Sequence, residues 1–373
     1  MSDTSPLART LEDRLRARIR SEGPITFYEW MKAALYDEHD GYYSTGKVRQ
    51  GRTGDYRTAP ETSSLFAATL ARYFSKLHTD LKWPRAWTLF EAGAGNGELA
   101  HGILTQLRAK YPEIFAVTRY VLDEINPAAR AQAAERLLEF SDRISFQRLS
   151  EIAEPLSPGI IFSNELIDAF PVHRIRVSDG KLRELCVGLH EEGFTWVECD
   201  VDTRVEDYVR RSGIEPAEGQ IVEVNLKADE FISRAANSLA RGYLITIDYG
   251  AHRKELWREP QRRMGTLRAF SRHHLVEDVL AKPGQQDLTT TIDWTQVEEA
   301  GKRAGLQAIR FQRLDEFLSS EGLLSLIADL TTTTPDPVDF IRLTTSAREL
   351  VLPTGLAASF QILVQEKIAG DSA

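Results

Sequence analysis

From Trp87 to about Phe170, short apolar runs alternate with stretches whose apolar positions recur every three or four residues. This rhythm predicts a parallel sheet wound with helices. The runs opening at Trp87, Tyr120-Val-Leu122, Ile144 to Gln147 and Gly159 to Ser163 read as strands, and Glu98 to Lys110 and Ala128 to Phe140 as helices. From Val172 to about Val224 the period shortens: Val172 to Val177, Leu182 to Leu189 and Phe194 to Glu198 read as inserted antiparallel strands. An insertion there follows the carboxyl ends of the parallel strands, where open α/β sheets bind ligands, so it is expected to roof a site. A helix near Ala228 to Ala240, the strand Gly242 to Asp248 and a helix near Trp294 to Ala304 resume the core. Leu306 to Leu314 and Ser359 to Glu366 are expected to finish the sheet as an edge hairpin, with a mostly helical excursion at about 315–350 between them.

The predicted organisation is an N-terminal helical and aromatic cap (1–85), a first half of the core (86–171), the inserted strands (172–227) and a second half of the core (228–373). Leu7, Leu11, Leu15 and Ile19 recur at helical spacing, which favours a docked helix over a transit peptide. The aromatics between Phe27 and Tyr56 must pack on something, as a cap on the sheet, as a border of the active site, or both.

The first strand runs into Glu91-x-Gly93-x-Gly95-x-Gly97. An apolar strand ending in a glycine turn exposes backbone N–H groups to a nucleotide-type ligand, with no Cβ in the way. A dinucleotide fingerprint would place its third glycine at position 98, which is Glu98. The spacing is instead that of loops binding S-adenosylmethionine, and Glu91 would lie beside the methionine ammonium. Glu124, just past the second strand, is placed to accept the ribose hydroxyls. The bland alternatives are a steric strand-to-helix turn and a solvated strand-end acid.

The formal charge of −9 argues against a partner held through nucleic-acid phosphates. Cys186 and Cys199 lack metal-ligand spacing, so no metal site is expected. No run approaches the roughly 18 to 20 apolar residues of a membrane span. The expected location is the cytoplasm of a bacterium, or the mitochondrial matrix if the source is a eukaryote.

Several further blocks together resemble the MidA-type methyltransferases. These are Gly23-Pro-Ile-Thr-Phe, Leu35-Tyr36, Gly41-Tyr-Tyr43, Gly54-Asp55-Tyr56-x-Thr58-x-Pro60-Glu61, Asn164-Glu165-Leu-Ile-Asp168-Ala-Phe-Pro171, Asp248-Tyr249-Gly250, Gly265-Thr-Leu-Arg268 and Pro283-Gly-x-Gln286-Asp287-x-Thr289. Ala59 and Asn126 stand where that family usually carries serine. The resemblance implies a class I S-adenosylmethionine methyltransferase, Rossmann-like in its sheet. It also implies methylation of an arginine in a protein, since the family includes the mitochondrial assembly factor that methylates a subunit of respiratory complex I. On this reading Asn164, Glu165, Asp168 and Asp248 are the candidate catalytic residues, and Glu91, Gly93, Gly95, Gly97 and Glu124 hold the cofactor. Gly54, Asp55, Thr58, Pro60, Glu61 and Tyr249 face the substrate. If the turn after Asn164 is helical, Glu165 and Asp168 share a face and could grip a guanidinium, although acids also suit a helix start for dipole reasons. The alternatives are a non-catalytic cofactor-binding assembly factor and a methyltransferase for small molecules.

Overall fold

The structure is a computed structural model that describes residues 10–44, 64–191, 193–213, 215–258, 260–271, 274–333, 337–352 and 354–368. The chain gathers into two compact units, one of residues 57–166, 231–250 and 298–373, the other of residues 1–56, 167–230 and 251–297.

The first unit is built on a seven-stranded sheet. In chain order its strands are β1 (Trp87–Ala92), β2 (Thr118–Asp123), β3 (Ile144–Phe146), β4 (Gly159–Asn164), β5 (Gly242–Asp248), β6 (Gln307–Arg313) and β7 (Gln361–Lys367). They lie in the order β6-β7-β5-β4-β1-β2-β3. The strands from β5 to β3 are parallel, and β7 runs antiparallel to both β5 and β6, the expected closing hairpin. Strand order reverses between β1 and β4, and ligands of open α/β sheets bind at such a switch point. The central strands are apolar on both faces because helices cover both. Leu89, Tyr120, Phe162 and Ile245 join one buried cluster with Leu70 and Phe74 of helix Ser64–Asp80 and Leu104 of helix Glu98–Lys110. A Cβ at Gly242 would fall 1.8 Å from the carbonyl oxygen of Gly159, so glycine lets β5 start flush against β4.

The expected 1–85 cap is therefore divided. Helix Ser64–Asp80 belongs to the sheet core, because its residues from Leu65 to Ala71 are all buried. The helices Leu11–Glu22 and Phe27–Tyr36 belong to the second unit, where Leu15, Phe27, Trp30 and Leu35 share a core with Val172, Val187 and Leu288. The foreseen strands are there, His173–Ser178, Lys181–His190 and Gly193–Cys199, joined by Ile221–Val224 in one antiparallel sheet. Helix Thr203–Ser212 was not foreseen. Its signals were the Asp202 N-cap, Gly213 in the left-handed region behind it, and Val205, Tyr208 and Val209 on one buried stripe. A small sheet of Arg268–Ser271, His274–Val276 and Asp287–Thr289 completes this unit.

Candidate active site

At the carboxyl end of β1 the chain turns through Gly93, Gly95 and Gly97, with φ of 73°, 54° and 76°. All three lie in the left-handed region that glycine enters without strain. The Gly93 and Ala94 N–H groups donate to the Asp123 carbonyl at 2.9 and 3.1 Å, which ties the loop to the end of β2. Gly97 precedes helix Glu98–Lys110, and a Cβ on it would come within 2.9 Å of the Ala133 side chain. The third glycine thus serves close packing of helix Pro127–Arg136, a reason different from the ligand approach expected for the loop as a whole.

Glu124 sits across this loop. Its carboxylate accepts from the Gly95 N–H at 2.8 Å and from the Asn126 N–H at 2.7 Å. Two such bonds orient the group, and each oxygen keeps a lone pair for a diol. Burial pushes the carboxyl above its usual range while those backbone donors pull it down. Asn126 caps the next helix, accepting from the N–H groups of Ala128 and Ala129 at 2.8 and 3.2 Å. Serine at that position would cap in the same way, so the departure leaves the local structure intact.

Glu91 is only 3% exposed and takes a 2.7 Å hydrogen bond from the Tyr120 hydroxyl. Burial raises its pKa to about 8, with the Tyr120 bond opposing and the charge of Glu124 adding to the shift. Tyr120 was missed as a site residue: it read as part of an apolar strand. Its polar handle in a fully buried strand was the available signal. Asp123 turns away to pair with Arg148 at 2.7 Å.

The second set of candidates lies at the ends of β4 and β5, whose register places Asn164 opposite Ile247. Asn164 donates to the Glu165 carboxylate at 3.1 Å. Glu165 has φ of 51°, and its N–H donates to the Ile247 carbonyl at 2.9 Å. Asp248 follows Ile247, is fully buried and accepts from the Tyr249 N–H at 2.9 Å. Tyr249 meets Phe360 edge-on. These residues come together in the first unit. The segment after Asn164 is not helical: it runs through bends and a turn, so Glu165 and Asp168 do not share a helix face. The physical reason is Glu165 itself, whose left-handed backbone cannot start a right-handed helix. Asp168 is 5% exposed and belongs to the second unit. Gly54, Asp55, Thr58, Ala59, Pro60 and Glu61 lie outside the described residues. Among the described residues no helix is long and apolar enough to cross a membrane, and no group of three potential metal ligands is present.

The strand order, the glycine loop at the switch point and the anchored acid at the end of β2 define a class I methyltransferase. The chain belongs to the family described as "Putative S-adenosyl-L-methionine-dependent methyltransferase", whose model matches residues 69–312. A crystal structure of a "likely methyl transferase" from Burkholderia thailandensis bound to S-adenosyl-homocysteine is 28% identical. It superposes with a TM-score of 0.84, covering 96% of this chain and 92% of that one. The protein arginine methyltransferase NDUFAF7 homolog, mitochondrial, of Drosophila melanogaster is 28% identical over 79% of this chain and 71% of its own. The human protein arginine methyltransferase NDUFAF7, mitochondrial, is 28% identical over 79% of this chain and 70% of its own. The chain is an S-adenosylmethionine-dependent methyltransferase, and its fold class is as the sequence implied.

The loop fits that cofactor on its own geometry. A left-handed glycine turn ends an apolar strand at the switch point, and an oriented carboxylate faces it.

Proposed function

We propose that this chain transfers a methyl group to an arginine side chain of a protein. The single observation that carries the reading is Glu165, held in a left-handed conformation at the carboxyl end of β4, whose neighbouring strand β5 ends in the fully buried Asp248. A non-glycine residue there costs on the order of 1 to 2 kcal/mol, and such strain persists where a side chain must be aimed. Two carboxylates at adjacent strand ends suit the planar fork of a guanidinium. The relatives named as protein arginine methyltransferases support the same reading.

S-adenosylmethionine supplies an electrophilic methyl on a sulfonium that leaves as a neutral thioether. In the proposed reaction Glu165 and Asp248 orient the guanidinium, Asn164 orients Glu165, and a carboxylate takes the proton that the guanidinium nitrogen loses as its bond to carbon forms. Glu91, Gly93, Gly95, Gly97 and Glu124 are the proposed cofactor contacts. Asp168 is a further proposed catalytic acid. Tyr249 and Gly54, Asp55, Thr58, Pro60 and Glu61 are proposed substrate contacts, the last five on their motif alone. By the resemblance, a respiratory complex I subunit is the proposed target.

The test incubates purified protein, tritiated S-adenosylmethionine and protein extract from the source cell, followed by acid hydrolysis and amino-acid analysis. Label in methylarginine is the expected result. Label confined to a small molecule would favour a metabolite methyltransferase, and no label would favour a cofactor-binding assembly protein.

A further inference from the structure

We propose that Tyr36, Asn225 and the backbone N–H of Thr290 form a three-point clamp on the main chain around Asp168, and that Tyr36 and Asn225 are positioning residues for methyl transfer. This rests on Asp168 taking part in the reaction. All of the clamp lies within the second unit. Three consecutive carbonyls are held by three distant parts of the sequence. The Asn225 side-chain amide donates to the Ile167 carbonyl at 3.2 Å, the Thr290 N–H to the Asp168 carbonyl at 2.9 Å, and the Tyr36 hydroxyl to the Ala169 carbonyl at 2.9 Å. The Ile167 carbonyl also accepts from the Phe170 N–H at 3.1 Å; with no ladder outside regular structure, holding three consecutive carbonyls fixes the peptide planes and the direction of the Asp168 Cα–Cβ bond.

Each arm is itself braced. Tyr36 stacks at a tilt on Tyr43, with centroids 5.6 Å apart, and the Tyr43 hydroxyl donates to Asp287 at 2.6 Å. Asp287 opens the short strand Asp287–Thr289 that leads to Thr290. The Asn225 carbonyl accepts from Gln296 at 2.6 Å. A small cavity bordered by Ile167, Asn225, Thr290 and Gln296 adjoins the clamp. The clamp draws on the sequence blocks that the cofactor loop leaves unexplained: Leu35-Tyr36, Gly41-Tyr-Tyr43, Asp168-Ala169 and Asp287-x-Thr289.

Two variants remove one donor each and spare the fold. Tyr36→Phe keeps the ring. Asn225→Asp keeps the oxygen that accepts from the Ala228 N–H at 2.9 Å, and so keeps the cap of helix Leu226–Asn237, but loses the donor to Ile167. Transfer of tritiated methyl to extract protein should fall about five- to tenfold in kcat for each, the scale of one hydrogen bond. KM for the cofactor and calorimetric affinity for S-adenosylhomocysteine should stay at wild-type values. In an Asp168→Asn background neither change should cause further loss, because the clamp acts through that side chain.

Wild-type kcat in Tyr36→Phe and Asn225→Asp, with Asp168→Asn impaired, would overturn the clamp and leave the function standing. Losses that multiply in the double variants, or that come with weaker cofactor binding, would also overturn it, since a merely structural role predicts that pattern. If Asp168→Asn is as active as wild type, the clamp has nothing to position and falls. If the wild-type protein labels no arginine, the functional reading fails first.

Discussion

The glycine loop and the Asp168 turn are both irregular backbone carrying functional candidates, yet they are specified in opposite ways. The loop from Glu91 to Gly97 is encoded by its own contiguous residues: each left-handed position holds a glycine, and the anchoring acid follows just past the end of the next strand. The turn from Ile167 to Ala169 has no glycine, and its local bond, from the Phe170 N–H to the Ile167 carbonyl at 3.1 Å, leaves its aim to distant groups. It is shaped by Tyr36, Asn225 and Thr290, separated from it and from one another by long stretches of chain. Local code can be read from spacing, whereas distributed code becomes visible only once the chain is folded.

The largest expected effect comes from breaking the local code. Gly95→Val would put a β-branched residue at φ of 54° and disturb the N–H that anchors Glu124. Calorimetry should show S-adenosylhomocysteine affinity reduced by about 10³ or more, roughly 4 kcal/mol. Retained affinity would mean that the loop contributes little to the site.

Next is Glu165→Gln, which keeps size and removes charge. Turnover should drop by about 10², near 2.7 kcal/mol, with cofactor affinity unchanged. Glu165→Gly gives a sharper result, because relief of the left-handed strain should raise thermal stability by about 1 kcal/mol while activity is lost. Opposite signs in the two measurements would identify an acid held for chemistry. A parallel fall in both would reduce Glu165 to a structural turn residue.

The distributed region should respond more modestly. Tyr43→Phe removes the hydroxyl that donates to the 5% exposed Asp287, and a buried charged hydrogen bond of this kind is worth about 1.5 to 3 kcal/mol. Urea unfolding should register that loss, and transfer activity should decline with it. A stability change with no change in activity would show that Asp287 does not bear on the site.

The effect smallest per step is a slope with pH, at most about 1.4 kcal/mol for each unit. Folding raises the Glu91 pKa from 4.5 to about 8. Between those values the native chain holds a proton that the unfolded chain has lost, so stability falls as pH rises through the window and levels off above 8. Glu91→Gln should flatten the slope. If Glu91 meets the ammonium as its charged form, S-adenosylmethionine binding should tighten toward pH 8, by at most tenfold per unit, and release a proton. An affinity independent of pH would place the ammonium elsewhere.

Most of the large sheet was legible because its strands are apolar on both faces and punctuated by glycine, acid or helix. The strand at Gly242 to Asp248 and the helix at Glu98 to Lys110 fall where the pattern put them. Helix Thr203–Ser212 was hidden because charged residues separate the few apolar ones that it buries. Of the proposed cofactor site, Glu91, the glycines and Glu124 were readable as candidates from their position. The partnership of Tyr120 with Glu91 did not, since it depends on two parallel strands lying side by side. The helical reading of Glu165 to Asp168 failed on a single backbone angle that residue type disfavours and therefore does not announce.

The division of the chain has a genealogical consequence. Each compact unit is assembled from three separate stretches, interleaved along the sequence. Neither could have been gained by joining two genes end to end, nor lost by a single truncation. Two of the second unit's stretches, 167–230 and 251–297, interrupt the sheet unit along the chain, while the third, 1–56, precedes it, so no cut at any one point separates the two.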